Sequence, residues 1–334
     1  MDKNLLTSIF HQNGYLDGAK VKSIELKPKA TNGIASEFYM ANLSYSSDSH
    51  KLPNRMIIKR PLLGDRGEGE ARVYEQILRG EADLPVLKCF GVVDDDPDKP
   101  LSLFFEDLSD THYQSEWPII PSLTNCRLAV TTLARVHAHW WGNTSSIDAG
   151  TPAVAKHQNS EHLKNFFPGF VDLVGEYLSK DRISVYENLL DRIGPLIERR
   201  QNTSNSTFLH TDSHFWNFLY PLDPNRHDCI VFDWPLWRTG LAGTDLAYMI
   251  ALHLYPEHRS RFESTLLAHY HQELTECGVT YDLSDVHLDY RIGVVYGLLM
   301  PIMEFSWKVP PSDWMPKLEK ALSAFDELQC QELL

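Results

Sequence analysis

The sequence predicts an α+β fold in two lobes, and three observations lead there. The chain has 334 residues, more than one ordinary core accommodates. Up to about residue 107 the apolar residues gather in short, strand-like clusters. From residue 108 onward they recur at helical spacing over longer stretches. The expected lobes are residues 1–107, small and rich in strands, and 108–334, large and mainly helical, with Glu106-Asp107-Leu108 as the hinge.

In the first lobe, residues 36–45 (SEFYMANLSY), 55–59 (RMIIK), 87–93 and 101–106 concentrate the β-branched and aromatic side chains that suit a pleated, half-buried surface. Residues 68–78 (EGEARVYEQIL) interrupt them with a helical pattern, since Val73, Ile77 and Leu78 fall on one stripe. In the second lobe helices are expected over 123–141, 162–177, 185–199, 259–277, 286–302 and 314–328. Two strand-like pieces, 208–220 and 229–233, lie among them. The longest apolar run, 292–303, sits between Arg291 and Glu304 and falls short of the ~20 residues a membrane-crossing helix needs. It reads as a buried helix.

Composition narrows the partners. Apolar residues make up 43% and charged residues 23%, as in globular chains rather than disordered ones. With 31 Lys plus Arg against 45 Asp plus Glu, the net charge of -14 offers no basic field to a nucleic acid or an anionic membrane. Mg²⁺ complexes and amine-bearing molecules suit such a surface better. The five cysteines are widely spaced with no CxxC pair, which argues against a disulfide framework and a thiolate zinc site. The start (MDKN) leads into no long apolar run, so a cytoplasmic, reducing setting is expected.

The chemistry concentrates in residues 208–219 (FLHTDSHFWNFL), where His210, Asp212 and Asn217 stand as H-x-D-x-x-x-x-N. In the related H-R-D-x-x-x-x-N loop of kinases, the Asp accepts the acceptor's hydroxyl proton and the Asn binds a metal ion on the nucleotide phosphates. After Asn217 comes Ile230-Val231-Phe232-Asp233-Trp234, an apolar strand ending in a carboxylate. Asn217 and Asp233 are hard oxygen donors of the kind Mg²⁺ prefers. Asp245, in GLAGTDLA, reads as an N-cap or a loop-locking acceptor.

These segments, HTDSHFWNFL and IVFDWPLWRTGLAGTDLAYMI, resemble the aminoglycoside phosphotransferase and choline kinase-like superfamily, and its ecdysteroid-kinase-like bacterial members most. The resemblance implies a protein-kinase-like fold with ATP between a strand-rich lobe and a helical one. It implies Asp212 as catalytic base, His210 as a residue shaping the loop, and Asn217 and Asp233 as Mg²⁺ ligands. Lys59, at the end of RMIIK, would hold the α/β-phosphates, and Glu70, in an E-x-x-x-Y pattern with Tyr74, would orient it. Arg60 adjoins Lys59, and Glu68 and Glu75 flank Glu70, so neighbouring pairs compete for these roles. Glu106 belongs to the segment whose backbone would receive the adenine. The phosphate-covering loop departs from a glycine-rich pattern: residues 29–36 (KATNGIAS) hold one glycine, and Gly33 and Ser36 are the implied contacts. The usual glycine between the loop's His and Asp is Thr211 here.

The expected function is therefore an ATP- and Mg²⁺-dependent phosphotransfer to a hydroxyl of a small molecule. A protein acceptor is disfavoured, because nothing after Asp233 resembles the D-F-G and A-P-E boundaries of an activation segment. A catalytically silent, kinase-like binding protein is the alternative, but it would be expected to lack Asp212, Asn217, Asp233 or Lys59, and all four are present. A zinc hydrolase built on His210, Asp212 and His214 ranks lower. Its further candidates, His269 and His271, are two apart and cannot share a helix face. Trp216, Trp234 and Trp237 adjoin the loop and are weighed as aromatic faces for a quaternary ammonium acceptor against ordinary core packing.

Overall fold

The computed structural model describes residues 2–29, 36–62, 66–79, 81, 83–144, 147, 160–201 and 204–334. They form two compact units. The first is Met1–Tyr113 with Pro221–Arg226 and Phe232–Pro235, and the second comprises Gln114–Tyr220, His227–Val231 and Leu236–Leu334.

The first unit begins with helix α1 (Lys3–Gln12), capped by Asp2, whose Oδ1 accepts from the Asn4 amide at 2.7 Å. Strands β1 (Val21–Lys29), β2 (Ser36–Tyr45), β3 (Arg55–Pro61), β4 (Cys89–Val93) and β5 (Ser102–Glu106) form one antiparallel sheet in the order β1-β2-β3-β5-β4. Leu6 and Phe10, one helical turn apart, bury α1 against Met56, Ile58 and Phe104 on one sheet face. Because strand side chains alternate faces, Lys59 on the central strand β3 points to the other face. There lies helix α2 (Glu68–Arg72), which continues through a wider π-type turn at Val73–Ile77. Gly67 starts α2 at φ 90°, and a Cβ there would come within 2.6 Å of Pro61 Cγ. A short strand, β6 (His112–Gln114), follows.

The second unit holds α3 (Leu123–His139), α4 (Ser160–Val174), α5 (Lys180–Gln201), β7 (Ser206–Leu209), β8 (Phe218–Pro221), β9 (Ile230–Val231) and β10 (Arg238–Leu241). It continues with α6 (Gly243–Leu246), α7 (Pro256–Glu276), α8 (Leu283–Gly297), α9 (Met300–Ser306) and α10 (Pro311–Glu327). β7 pairs antiparallel with β10, and β8 with β9. Helices α6 and α8 cross so closely that a Cβ on Gly293 would lie 2.3 Å from the Gly243 carbonyl oxygen. Tyr290 of α8 donates to Glu263 of α7 at 2.7 Å, and Arg259 reaches the same carboxylate at 2.9 Å.

The mixed α+β architecture is as the sequence predicts, with differences in detail. Helix α1 and strand β1 were absent from the expectation. The expected helix over 286–302 is two helices, α8 and α9, with Pro301 near the start of the second. The expected strand over 208–220 is two short strands with a loop between, and the loop carries the chemistry. Among the described residues no helix is long and apolar enough to cross a membrane. All five cysteines are free thiols: Cys126, Cys229 and Cys330 are buried, Cys89 is partly buried and Cys277 is exposed.

Candidate active site

In the sheet unit, Lys59 Nζ donates to Glu70 Oε2 and to Asp233 Oδ1, each at 2.6 Å. Lys59 and Glu70 are buried at 5% and 2% exposure, whereas the Asp233 side chain keeps 32%. Burial alone would lower the Lys59 ammonium, but the Asp233 and Glu70 carboxylates outweigh it and hold it above the ordinary lysine value. Burial, and after it the negative charge of Asp233, raise Glu70 despite its Lys59 partner. Glu70 Oε1 also accepts a long bond, 3.4 Å, from the Trp234 amide. Asp233 takes φ 69°, a left-handed conformation that Asp tolerates better than most residues. Of the competing pairs left by the sequence, the structure joins Lys59 to Glu70. Arg60 instead donates to Ser102 Oγ at 2.9 Å.

In the helical unit, Asp212 stands on the loop between β7 and β8. Its Oδ1 accepts from the Tyr248 hydroxyl at 2.8 Å, and its Oδ2 accepts from Asn217 Nδ2 at 3.1 Å. His214 Nε2 lies 3.7 Å from Oδ1. The side chain of Asp212 is 24% exposed, so the carboxylate is held yet reachable. The loop itself is clamped from behind. Asp245, buried in α6, accepts from the His210 amide at 2.7 Å and the Thr211 amide at 2.8 Å, and its own carbonyl accepts from Ser213 Oγ. Burial would raise Asp245, but His137 and His210 outweigh it and hold the carboxyl below its ordinary value. His137 approaches Asp245 Oδ2 at 3.3 Å and bonds Tyr270 on its other nitrogen.

Thr211 takes φ 65°, rare for a β-branched residue, and its hydroxyl donates to the Leu236 carbonyl at 2.5 Å. His210 is fully buried, and its Nδ1 accepts from the Asp212 amide at 3.2 Å. Asp245 is thus a loop lock and not an N-cap, since Ala242 holds the cap position of α6.

Gly33 lies outside the described residues. Ser36 opens β2 opposite Pro61. Glu106 ends β5, and its amide donates to the Lys88 carbonyl at 2.9 Å. Trp234 and Trp237 are fully buried and Trp216 nearly so. Trp234 and Trp237 are therefore core rather than faces open to an ammonium group. Trp117, which no motif marked, is instead 52% exposed and meets Trp216 edge-on at 4.4 Å. Sequence reasoning also missed Tyr248; its only signal was an aromatic three residues beyond Asp245.

Among the described residues no three His, Cys, Asp or Glu side chains are grouped to hold a metal ion. The set His210, Asp212 and His214 is accordingly not assembled as a zinc site. His269 and His271 go to separate partners, Thr131 Oγ1 and the Tyr281 carbonyl. The donors suggested for Mg²⁺ do fit its chemistry. Asn217 spends its amide nitrogen on Asp212, at the carbonyl (2.8 Å) and Oδ2, which leaves the amide oxygen to face a cation. Asp233 offers a partly exposed carboxylate.

A family model described as the ecdysteroid kinase-like family matches residues 68–280, more than half of the chain. Among solved structures, a protein from Ralstonia eutropha JMP134 carrying the provisional name aminoglycoside phosphotransferase matches at 14% identity and TM-score 0.61, over 98% of each chain. A microcompartment-associated aminopropanol kinase matches at 12% identity and TM-score 0.55, over 90% of each. An amicoumacin kinase in complex with AMP-PNP and Ca²⁺ matches at 13% identity and TM-score 0.53, over 90% of this chain and 88% of that one. No curated protein matches at a significant level.

Proposed function

We propose, since this chain belongs to the ecdysteroid kinase-like family, that it transfers the γ-phosphoryl group of ATP, as its Mg²⁺ complex, to a hydroxyl of a small molecule in the cytoplasm. The observation that carries the reading is Asp212, a reachable carboxylate fixed on both oxygens by Tyr248 and Asn217. Asp212 orients the acceptor hydroxyl and takes its proton as the oxygen attacks phosphorus. Lys59, held by Glu70, sets a positive charge against the α/β-phosphates. Asn217 and Asp233 would hold the metal ion, whose chemistry is to offset negative charge on the phosphate oxygens. The backbone around Glu106 would receive the adenine, and Gly33 and Ser36 would cover the phosphates. His210 acts through the loop it buries. The structural relatives named for small-molecule kinases support an acceptor of that size.

The test is ATP consumption with Mg²⁺ across kanamycin, choline, 1-aminopropan-2-ol and 20-hydroxyecdysone, with Asp212→Asn as control. General-base assistance is typically worth ~10² to 10⁴-fold, so the variant should lose about that much kcat while ATP affinity changes little. A wild type that binds no Mg²⁺–ATP by calorimetry and consumes none with any of these acceptors would remove the reading.

A further inference from the structure

Tyr248 lies in the segment 230–250 that carries the resemblance but has no role assigned there, yet it makes the shorter of the two hydrogen bonds to the Asp212 carboxylate. It lies in the wide π-type turn Ala247–Ala251 that continues α6, three residues after the loop lock Asp245. Its ring is buried against His253, centroid to centroid 4.6 Å. Because a carbonyl can only accept, His253 Nδ1 carries the proton in its 2.6 Å bond to the Tyr248 oxygen. The His253 imidazole is thus tied to the Tyr248 backbone and packs against the Tyr248 ring, whose hydroxyl donates to Asp212 Oδ1 at 2.8 Å.

We propose, resting on the reading of Asp212 as base, that Tyr248 is a positioning residue that holds the Asp212 carboxylate in its working rotamer. Two bonds now reach the carboxylate from different elements, one on each oxygen: Tyr248 from the turn after α6 and Asn217 from the loop itself. A carboxylate held at one oxygen can still rotate about its Cβ–Cγ bond; one held at both cannot. Burial, then the Asp212 and Glu304 carboxylates, push the Tyr248 phenol well above its ordinary value. It therefore remains a donor throughout the working pH range and does not compete for the acceptor's proton.

Other charges bear on the same group. His214 stands 3.7 Å from Oδ1 on the loop. Glu304 of α9 repels Asp212, and its own carboxyl is raised by burial and held partly in check by Lys317 of α10. Lys317 also sits 5.9 Å from the Tyr248 ring centroid. His253, neutral because burial and His214 lower it, adds no charge to that side. None of these replaces a hydrogen bond lost from Oδ1.

The experiment compares wild type, Tyr248→Phe and Asp212→Asn in kcat, in KM for ATP and in melting temperature, with the acceptor from the panel that supports turnover. Tyr248→Phe keeps the buried ring and removes one oxygen. Losing a hydrogen bond to a charged group should cost about 10- to 100-fold in kcat, with KM for ATP and melting temperature little changed. A packing role alone would lower the melting temperature, or raise KM for ATP along with the loss in kcat. If Asp212→Asn is inactive while Tyr248→Phe matches wild type in kcat, or loses kcat only together with melting temperature or ATP affinity, the positioning role is wrong and the base assignment stands. If wild type and Asp212→Asn turn over equally, or neither consumes ATP, the functional reading falls and this role with it.

Discussion

The base proposed for the reaction has to be held still without being buried; Asp212 is partly exposed, and Asp245 fixes the loop beneath it. Asp245 accepts two backbone amides from inside the protein, and its pH behaviour follows from that. Its carboxyl is held below the ordinary 3.8 in the folded chain. The stabilisation it contributes is therefore full above about pH 4, where the unfolded chain is also ionised, and is lost as pH falls through the folded value. Asp245→Asn keeps one acceptor oxygen and gives up the other and the charge. It should be less stable than wild type at pH 7 by about 1.5–3 kcal/mol and should lose less stability between pH 5 and 3. Urea unfolding midpoints across that range measure both effects; parallel curves would remove the charged lock. At this scale the sequence was informative where spacing encodes chemistry. Asp212 and Asn217 lie five residues apart because one tight loop must bring them together. Lys59 and Asp233, 174 residues apart, could be named only through their order in the chain. Tyr248 and Trp117 were illegible, since a tyrosine in an apolar run and a tryptophan in a loop are ordinary until something is seen to touch them.

Elements show a similar division. The sheet strands β2, β3 and β5 announce themselves by clustered β-branched and aromatic residues. Strand β1 does not, because only Val21 of its nine residues is buried and its lysines and Pro28 look like a loop. Helix α1 was missed because its buried stripe is narrow, with Leu6 and Phe10 alone fully inside. Strand β10 and helix α6 escaped because each is four residues long, too short for periodicity to register. Yet α6 carries the loop lock, and what sets its depth is the contact with α8. A methyl group at residue 293 would lie 2.3 Å from the Gly243 carbonyl oxygen and 2.7 Å from Ala247 Cβ, neither of which can swing away. Gly293→Ala should therefore cost about 1–3 kcal/mol by overpacking, read as a lower urea midpoint. Since the displaced helix bears Asp245, turnover should fall even in the folded fraction. A variant with wild-type midpoint would mean that the two helices separate without penalty.

For the molecule as a whole, the change of texture from strand-like clusters to helical spacing announced two kinds of architecture. What a linear reading could not express is that the units interleave along the chain: Phe232–Pro235 folds with the sheet, whereas the residues before and after it fold with the helices. That arrangement brings Asp233 to Lys59, and it depends on long-range contacts that leave no local pattern in the sequence.

The cysteines give the molecule a chemical handle. Burial pushes the Cys89, Cys126 and Cys229 thiols up to about 12 and Cys330 to about 11, so almost none of each is thiolate near neutrality. Cys277, at the C-terminal end of α7, is the exposed one. A colorimetric thiol titration at pH 8 should count one sulfhydryl quickly on the native protein and all five in denaturant, with Cys277→Ser abolishing the fast one. A maleimide dye would then attach at a single place on the helical unit, and the slower labelling of further thiols over hours would time how often the buried cores open.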